Sequence, residues 1–294
     1  MSALVELGLW LRRSGYRFVT PTPSTHRLVN ARPRTAPPSL TDVLGWSRPF
    51  RRGDVPDEVL ALLLAADVLH EEDGELRSRV RFSTLGDDLF VHSAYPTTGA
   101  QAVFFGPDSY RFVAFAARTL PSQLGRLADV GCGTGVGGLS LRRRATELVL
   151  ADINPQALRY ASVNAELAGV EATLAEGDLL ATVAGDFDTI IANPPYLPDP
   201  EGRLYRDGGG PRGTMLSARI VKESLPRLKP GGRLLLYTAT PVVAGRALLI
   251  DELAPLLSTV RHHWEELDPD VFGDELALPC HSDVERLSLV GLIV

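Results

Sequence analysis

The stretch LADVGCGTGVGGLSL, residues 127–141, decides the fold of this chain. A short apolar run closes on Asp129 and Val130, and Gly131, Gly133 and Gly135 follow at alternate positions before an apolar segment resumes. Glycine reaches positive φ without steric cost and lets a ligand approach the backbone where a Cβ would collide. Gly133, Gly135 and Gly138 also satisfy G-x-G-x-x-G, a pattern for a strand-to-helix turn that receives a nucleotide. By itself the pattern equally fits a tight turn with no ligand, so its neighbours decide.

From about residue 108 onward, short apolar runs alternate with helix-length segments. The helix candidate SYRFVAFAARTL (109–120) precedes LADV (127–130), and LVLADI (148–153), DTIIAN (188–193) and RLLLYTAT (233–240) follow. Apolar strands spaced in this way imply βαβ units, with helices covering both faces of a parallel sheet. RLSLVGLIV (286–294) supplies a last strand. Asp152 falls at the tip of the second strand, 23 residues after Asp129, where nucleoside-binding sheets hold ribose hydroxyls. AEGDLL (175–180) places Asp178 after the third strand, suited to accept an adenine amino N–H, with Leu179 against the ring. Three acids at successive strand ends, on the ligand side of the sheet, make an idle turn a poor explanation.

The fourth of these runs ends unusually. IIANPPYLPDP (190–200) stops on Asn193, followed by two residues that lack a backbone N–H. An amide or exocyclic amine nitrogen is a weak nucleophile because its lone pair is delocalised. The Asn193 side-chain oxygen and the Pro194 carbonyl can each accept one N–H of such an NH₂ group, fixing its orientation for attack. Pro194 and Pro195 stiffen the segment, and Tyr196 offers an aromatic face to the acceptor and to a developing positive charge. The competing oxidoreductase reading, a nicotinamide or flavin site, has no use for this motif.

With D-V-G-C-G-T-G, Asp152, Asp178 and N-P-P-Y in place, residues 105–294 resemble class I S-adenosylmethionine-dependent methyltransferases. The resemblance implies an α/β fold with a Rossmann-like seven-stranded sheet, mostly parallel with a reversed last strand. It implies an S-adenosylmethionine site built from Asp129, Gly131, Cys132, Gly133, Thr134, Gly135, Asp152, Ile153, Asp178, Leu179 and Asn193. Asn193, Pro194, Pro195 and Tyr196 become the catalytic segment. N-P-P-Y resembles the motif of amino-group methylases of adenine or guanine and of glutamine-amide methylases of release factors. GPDSYRFVAF (106–115) is similar to the R-P-E-T-E segment of the latter, and YRDGGGPRGTMLSARIV (205–221) to their glycine-rich stretch, with Gly208–Gly210 as a loop over the substrate or a plain surface loop. The chain departs from that family at TATPVVAG (238–245), where a glutamate-glycine stretch is usual.

Residues 1–104 differ in character and form the expected recognition or adaptor domain, a smaller α+β unit. LVELGLWLRRSGY (4–16) and PDEVLALLLAADVL (56–69) carry helix signals, PTPSTHRLVNARPRTAPPS (21–39) reads as a loop, and GELRSRVRFSTLGDDLFVHSAY (74–95) as a hairpin around Leu-Gly-Asp-Asp. This is unlike the all-helical substrate domain of the release-factor enzymes.

Net charge of −6 over 294 residues argues against a surface devoted to nucleic acid, although nine arginines and one acid lie between Arg12 and Arg52. No apolar run approaches the ~20 residues that span a bilayer, and the start lacks a signal-peptide order, so the cytoplasm is the expected compartment. Cys132 and Cys280 suggest no disulfide framework, and His26, His70, His92, His262, His263 and His281 show no metal-ligand spacing. Cys132 reads as a small apolar filler. Ser140 lacks a G-x-S-x-G context, and no P-loop is present. The expectation is an N-methyltransferase acting on a glutamine-type amide of a protein. The alternatives are an exocyclic amine of RNA or DNA, a small-molecule amine, or a non-catalytic cofactor-binding adaptor.

Overall fold

The computed structural model describes residues 1–33 and 36–294; Arg34 and Thr35, in the arginine- and proline-rich stretch, lie outside the described residues. The N-terminal unit opens with α1 (Ala3–Arg13), whose Ser2 cap accepts the Val5 N–H and whose Val5, Leu7 and Leu11 are buried. The stretch expected to be a loop contains α2 (Pro23–Asn30), because Thr22 caps it, Pro23 suits the first turn, and His26 is fully buried beneath it. After α3 (Leu40–Leu44), α4 (Asp57–Ala65) ends earlier than its apolar run, since Asp67 turns to a φ of +53°. The expected single hairpin is two. Strands β1 (Leu69–Glu72) and β2 (Glu75–Ser78) turn at Asp73–Gly74, both at positive φ. Strands β3 (Val80–Leu85) and β4 (Asp88–Ser93) turn at the Leu-Gly-Asp-Asp sequence.

Helix α5 (Pro107–Thr119) leads into alternating strands and helices: β5 (Gly125–Val130), α6 (Val136–Leu141), β6 (Ala145–Asp152), α7 (Pro155–Ala168), β7 (Thr173–Glu176) and β8 (Phe187–Ala192). Then come α8 (Met215–Ser224), β9 (Leu228–Val243), the short edge piece β10 (Arg246–Ala247), α9 (Leu248–Leu257), β11 (His263–Asp268) and β12 (Arg286–Ile293). The main sheet runs β11-β12-β9-β8-β5-β6-β7. Strands β7, β6, β5, β8 and β9 are parallel, and β12 is antiparallel to both of its neighbours. The expected seven-strand path, mostly parallel with a reversed last strand, is therefore present, and two-residue β10, paired antiparallel to β9, makes the sheet eight-stranded.

Successive residues of the central strands are buried on opposite faces. Leu127, Leu148, Leu150, Ile191, Leu235 and Tyr237 pack with α5, α6 and α7. Ala128, Val149, Ala151, Ile190, Leu234 and Leu236 pack with α8 and α9. That is why these strands read as unbroken apolar runs. The N-terminal unit does not stand apart from this layering: its own apolar cluster includes Ala157, Tyr160 and Leu167 of α7. Within it lies a polar network of buried Arg81, His26, His92, Ser83 and Thr20. Burial lowers the His26 pKa to about 4 and lowers that of His92 as well.

Candidate active site

Register brings the expected residues to one edge of the sheet. Val130 pairs with Ala151 on one side and with Ala192 on the other. Gly131, Asp152 and Asn193 each follow one residue beyond that row, on neighbouring strands ~4.8 Å apart. Open parallel sheets bind ligands at such carboxyl ends, in the crevice where strand order reverses. Here the reversal falls at β5, from which the chain proceeds first to β6 and β7 and then to β8.

The glycines divide by task. Gly131 and Gly133 have φ of +67° and +54°. A Cβ built on Gly131 would meet nothing within 4 Å, and one on Gly133 only Val103 Cγ1 at 4.0 Å, so this stretch of backbone fronts open space. Gly135 turns inward, where a Cβ would lie 3.1 Å from Leu139. Gly138, the last glycine of G-x-G-x-x-G, lets α6 approach the sheet, 2.8 Å from Leu148 at its would-be Cβ. Asp129 Oδ2 accepts the Gly138 N–H at 2.8 Å and is 2% exposed. Burial, with Asp152 nearby, pushes its pKa up to about 7. Asp129 thus braces the start of α6 from below, and does not face the ligand side where its strand-end position predicts it.

Asp152 faces the loop. Its Oδ2 accepts the Gly133 N–H and its Oδ1 the Asn154 N–H, both at 2.8 Å, which leaves each oxygen a further lone pair. Burial raises its pKa. The next residue, Ile153, is 55% exposed although large and apolar. Leu179 is partly buried at a φ of +51°, beside exposed Asp178. Asp178 is held by Arg219 of α8 at 2.6 Å, and Arg219 also pairs with Glu223 at 2.6 Å. Cys132 belongs to the apolar core, and burial pushes its thiol pKa well up, as a filler requires. Thr134 Oγ1 is buried without a hydrogen-bond partner among the described residues. An open glycine cradle, a carboxylate with spare lone pairs, an exposed aliphatic side chain and an orphaned hydroxyl fit a nucleoside carrying a polar tail, as S-adenosylmethionine does.

The N-P-P-Y segment is built on the next strand. Asn193 is half-buried, and neither its side chain nor the Pro194 carbonyl has a hydrogen-bond partner among the described residues. Pro195 is half-buried beside them. Tyr196 does not present its ring as an open face: it is 8% exposed, its ring lies 5.9 Å from that of Phe272, and it is buried beside Asp108. Tyr237 donates to Asp108 at 3.2 Å, and Arg111 pairs with the same carboxylate at 3.4 Å. Tyr196 therefore belongs to the apolar core and anchors the segment from below by packing.

The glycine-rich stretch after N-P-P-Y packs directly on it. A Cβ on Gly213 would lie 2.6 Å from the Tyr196 carbonyl oxygen, one on Gly208 would collide with the Gly213 carbonyl, and the Gly208 N–H bonds Leu197 O at 2.8 Å. Gly208 and Gly213 are thus packed against the segment, whereas Gly210 and Pro211 are exposed at the surface. Arg206 pairs with Glu275, Arg212 pairs with Asp283 at 2.9 Å, and Tyr205 Oη donates to Thr97 O at 2.9 Å. These contacts tie the stretch both to the β11–β12 connection and to the N-terminal unit.

Residues 113–260 match the family model of the methyltransferase small domain. The chain belongs to that family. It is a class I S-adenosylmethionine-dependent methyltransferase in fold and family. It is similar to the release factor glutamine methyltransferase of Deinococcus radiodurans, at 35% identity over 48% of this chain and 55% of that one. The match therefore spans about half of that relative's length. It is similar also to the ribosomal RNA small subunit methyltransferase C of Hahella chejuensis, at 37% identity over 40% of this chain and 33% of that one. Among solved structures, Trm5b from Pyrococcus abyssi shares the fold with a TM-score of 0.52 at 13% identity, covering 82% of this chain and 67% of that one.

Two supporting positions of the methyltransferase escape sequence reading. Asp108 lies in the R-P-E-T-E-like segment, but its bond from Tyr237 joins residues 129 positions apart. Arg219 had a local signal, its i,i+4 spacing to Glu223, and none toward Asp178. Among the described residues, no helix is long and apolar enough to cross a membrane.

Proposed function

We propose that this methyltransferase methylates the side-chain amide nitrogen of a glutamine in a protein. The observation that carries the reading is the pair of unengaged acceptors, Asn193 Oδ1 and Pro194 O, one strand from the glycine cradle. When bound, S-adenosylmethionine supplies an electrophilic methyl group on sulfur. Gly131 and Gly133 would receive its amino-acid end, Asp152 its ribose, and Asp178 with Ile153 and Leu179 its adenine. Asn193 and Pro194 accept the two N–H groups of the acceptor amide, which fixes the direction of the nitrogen lone pair and favours its pyramidalisation. Asp108 is buried and occupied by Tyr237 at 3.2 Å and Arg111 at 3.4 Å, and it takes no part in this reading of the transfer. The proton leaves after transfer.

We assign acceptor recognition to residues 1–104, because Thr97, Ala100 and Phe104 contact the stretch that follows N-P-P-Y. The similarity to a release-factor methylase supports a protein acceptor. The basic segment gives an RNA acceptor limited support. Arg48 pairs with Asp42 and Arg12 donates to Leu167 O, so these two act within the molecule, while Arg13, Arg27, Arg32, Arg51 and Arg52 are exposed. The similarity to a ribosomal RNA methylase keeps an RNA amine as the second reading.

Asn193→Ala is expected to lower methyl transfer by about 10²–10³-fold, the scale for deleting one group that orients the reacting centre, while cofactor binding persists. Full activity in that variant would refute the gripping role. Incubation with labelled cofactor and cell extract, followed by fractionation, identifies the acceptor. Label in protein glutamine supports the proposal, and label confined to RNA, DNA or small molecules overturns it.

A further inference from the structure

Asn164 sits on the inner side of α7, 1% exposed, and it faces neither solvent nor the acceptor site. A buried side-chain amide must find partners for its donors and acceptor, and where it finds them shows what it holds together. Its Nδ2 donates to the Thr134 carbonyl at 2.9 Å, within the cofactor loop. The same nitrogen donates to the Val91 carbonyl at 3.1 Å, and its Oδ1 accepts the Val91 N–H at 2.7 Å. Val91 belongs to β4 of the N-terminal unit. One amide therefore joins the backbone of the cofactor loop to the backbone of a strand in the other half of the chain.

Two further contacts make the same connection. Asn154 is 4% exposed; its backbone N–H bonds Asp152 Oδ1 at 2.8 Å, and its Nδ2 donates to Gln101 O at 3.0 Å. Val103 reaches nearest to the would-be Cβ of Gly133, at 4.0 Å. Val103 is fixed to the end of β4, because Ser93 Oγ accepts its N–H at 2.9 Å and the Ser93 N–H bonds its carbonyl at 3.1 Å. The loop carbonyl, the ribose carboxylate and the wall beside Gly133 are thus each positioned by residues 91–103.

We propose that Asn164 is a positioning residue through which the N-terminal unit completes the cofactor site, so that residues 1–104 govern cofactor affinity as well as acceptor choice. The proposal rests on the cofactor reading given above. The loop carries three left-handed glycines, Gly131, Gly133 and Gly135; their N–H groups are held by Ala151 O, Asp152 Oδ2 and Cys132 O, and Asn164 adds a hold on a loop carbonyl. Asn164 holds it at Thr134, midway between Gly133 and Gly135. Preorganisation of this kind acts on binding affinity by removing the ordering cost at the moment of association.

The test uses the full chain and S-adenosylhomocysteine as the probe, titrated by calorimetry. Asn164→Ala is expected to weaken binding about tenfold, from one lost buried hydrogen-bond network. With a fixed acceptor, it should raise the KM for cofactor while leaving kcat at saturation near that of the parent. Amide hydrogen exchange at Gly131–Gly135 should speed up. Val59→Ala is the comparison for stability alone: it opens the N-terminal apolar cluster without touching the loop, and should lower the melting temperature while keeping affinity. If Asn164→Ala does not fold, Ser93→Ala, which frees Val103, carries the same test with a smaller expected loss. Affinity unchanged in both Asn164→Ala and Ser93→Ala, or lost equally in Val59→Ala, overturns the proposal. Absence of binding by the parent chain would overturn the cofactor reading and this inference with it.

Discussion

Gly131 and Gly169 provide a matched pair of substitutions for testing the cofactor cradle. Both are left-handed, with φ of +67° and +66°, and an added Cβ meets nothing within 4 Å at either position. Gly169 caps α7 at its C-terminal end, whereas Gly131 opens the loop after β5. Alanine at either site should cost about 1–2 kcal/mol of backbone strain, with no clash added. For a chain of this size that corresponds to a fall in melting temperature of ~2–4 °C per kcal/mol. The two variants should therefore lose similar stability. They should part in binding, because only the Gly131 methyl would project into the space that the cofactor's backbone approach requires. We expect Gly169→Ala to bind S-adenosylhomocysteine like the parent, and Gly131→Ala at least about tenfold more weakly, or ~1.4 kcal/mol. Urea or thermal unfolding gives the first quantity and isothermal titration the second. Equal affinities in the two variants would show that no ligand approaches Gly131, and the cradle would have to be redrawn.

Two buried groups give opposed pH slopes. Asp129 has a folded pKa of about 7, above the usual ~3.9 of an unfolded aspartate, so the folded state holds the extra proton and stability falls as pH rises across that window. His26, lowered to about 4 from ~6.5, does the reverse: the unfolded state holds the proton, and stability is lost as pH falls from 6.5 toward 4. Asp129→Asn keeps an acceptor for the Gly138 N–H and removes the first slope. Between pH 4 and 6.5 its unfolding free energy should therefore climb with pH on the order of 3 kcal/mol more steeply than that of the parent, and parallel curves by urea titration would refute the assignment. Gly213→Ala should fail differently from Gly131→Ala. Its Cβ would meet backbone atoms of Tyr196 and Leu197 at 2.6–2.8 Å, so methyl transfer should drop with Asn193 displaced, whereas cofactor affinity stays. Loss of cofactor binding without loss of transfer at saturation would contradict that picture.

The sequence by itself determined the sheet, because covering both faces of parallel strands demands apolar residues at every position, and LVLADI and RLLLYTAT carry that demand locally. It also placed Gly131, Asp152 and Asn193 at strand ends, since a glycine turn, an acid and an N-P-P sequence each mark a boundary by their own backbone preferences. Tertiary structure alone decided which way the neighbouring side chains faced. Asp129 and Asp152 look alike in sequence, yet one is buried under α6 and the other fronts the cradle. Tyr196 became an anchor because Asp108 and Phe272, far away in the chain, enclose it. Asn164 reads as an ordinary helix residue until Val91 and Thr134 meet it from two sides. Local preference fixes where an element starts and stops; the cost of leaving a buried polar group unpaired fixes its orientation, and that depends on partners that only the folded chain brings near.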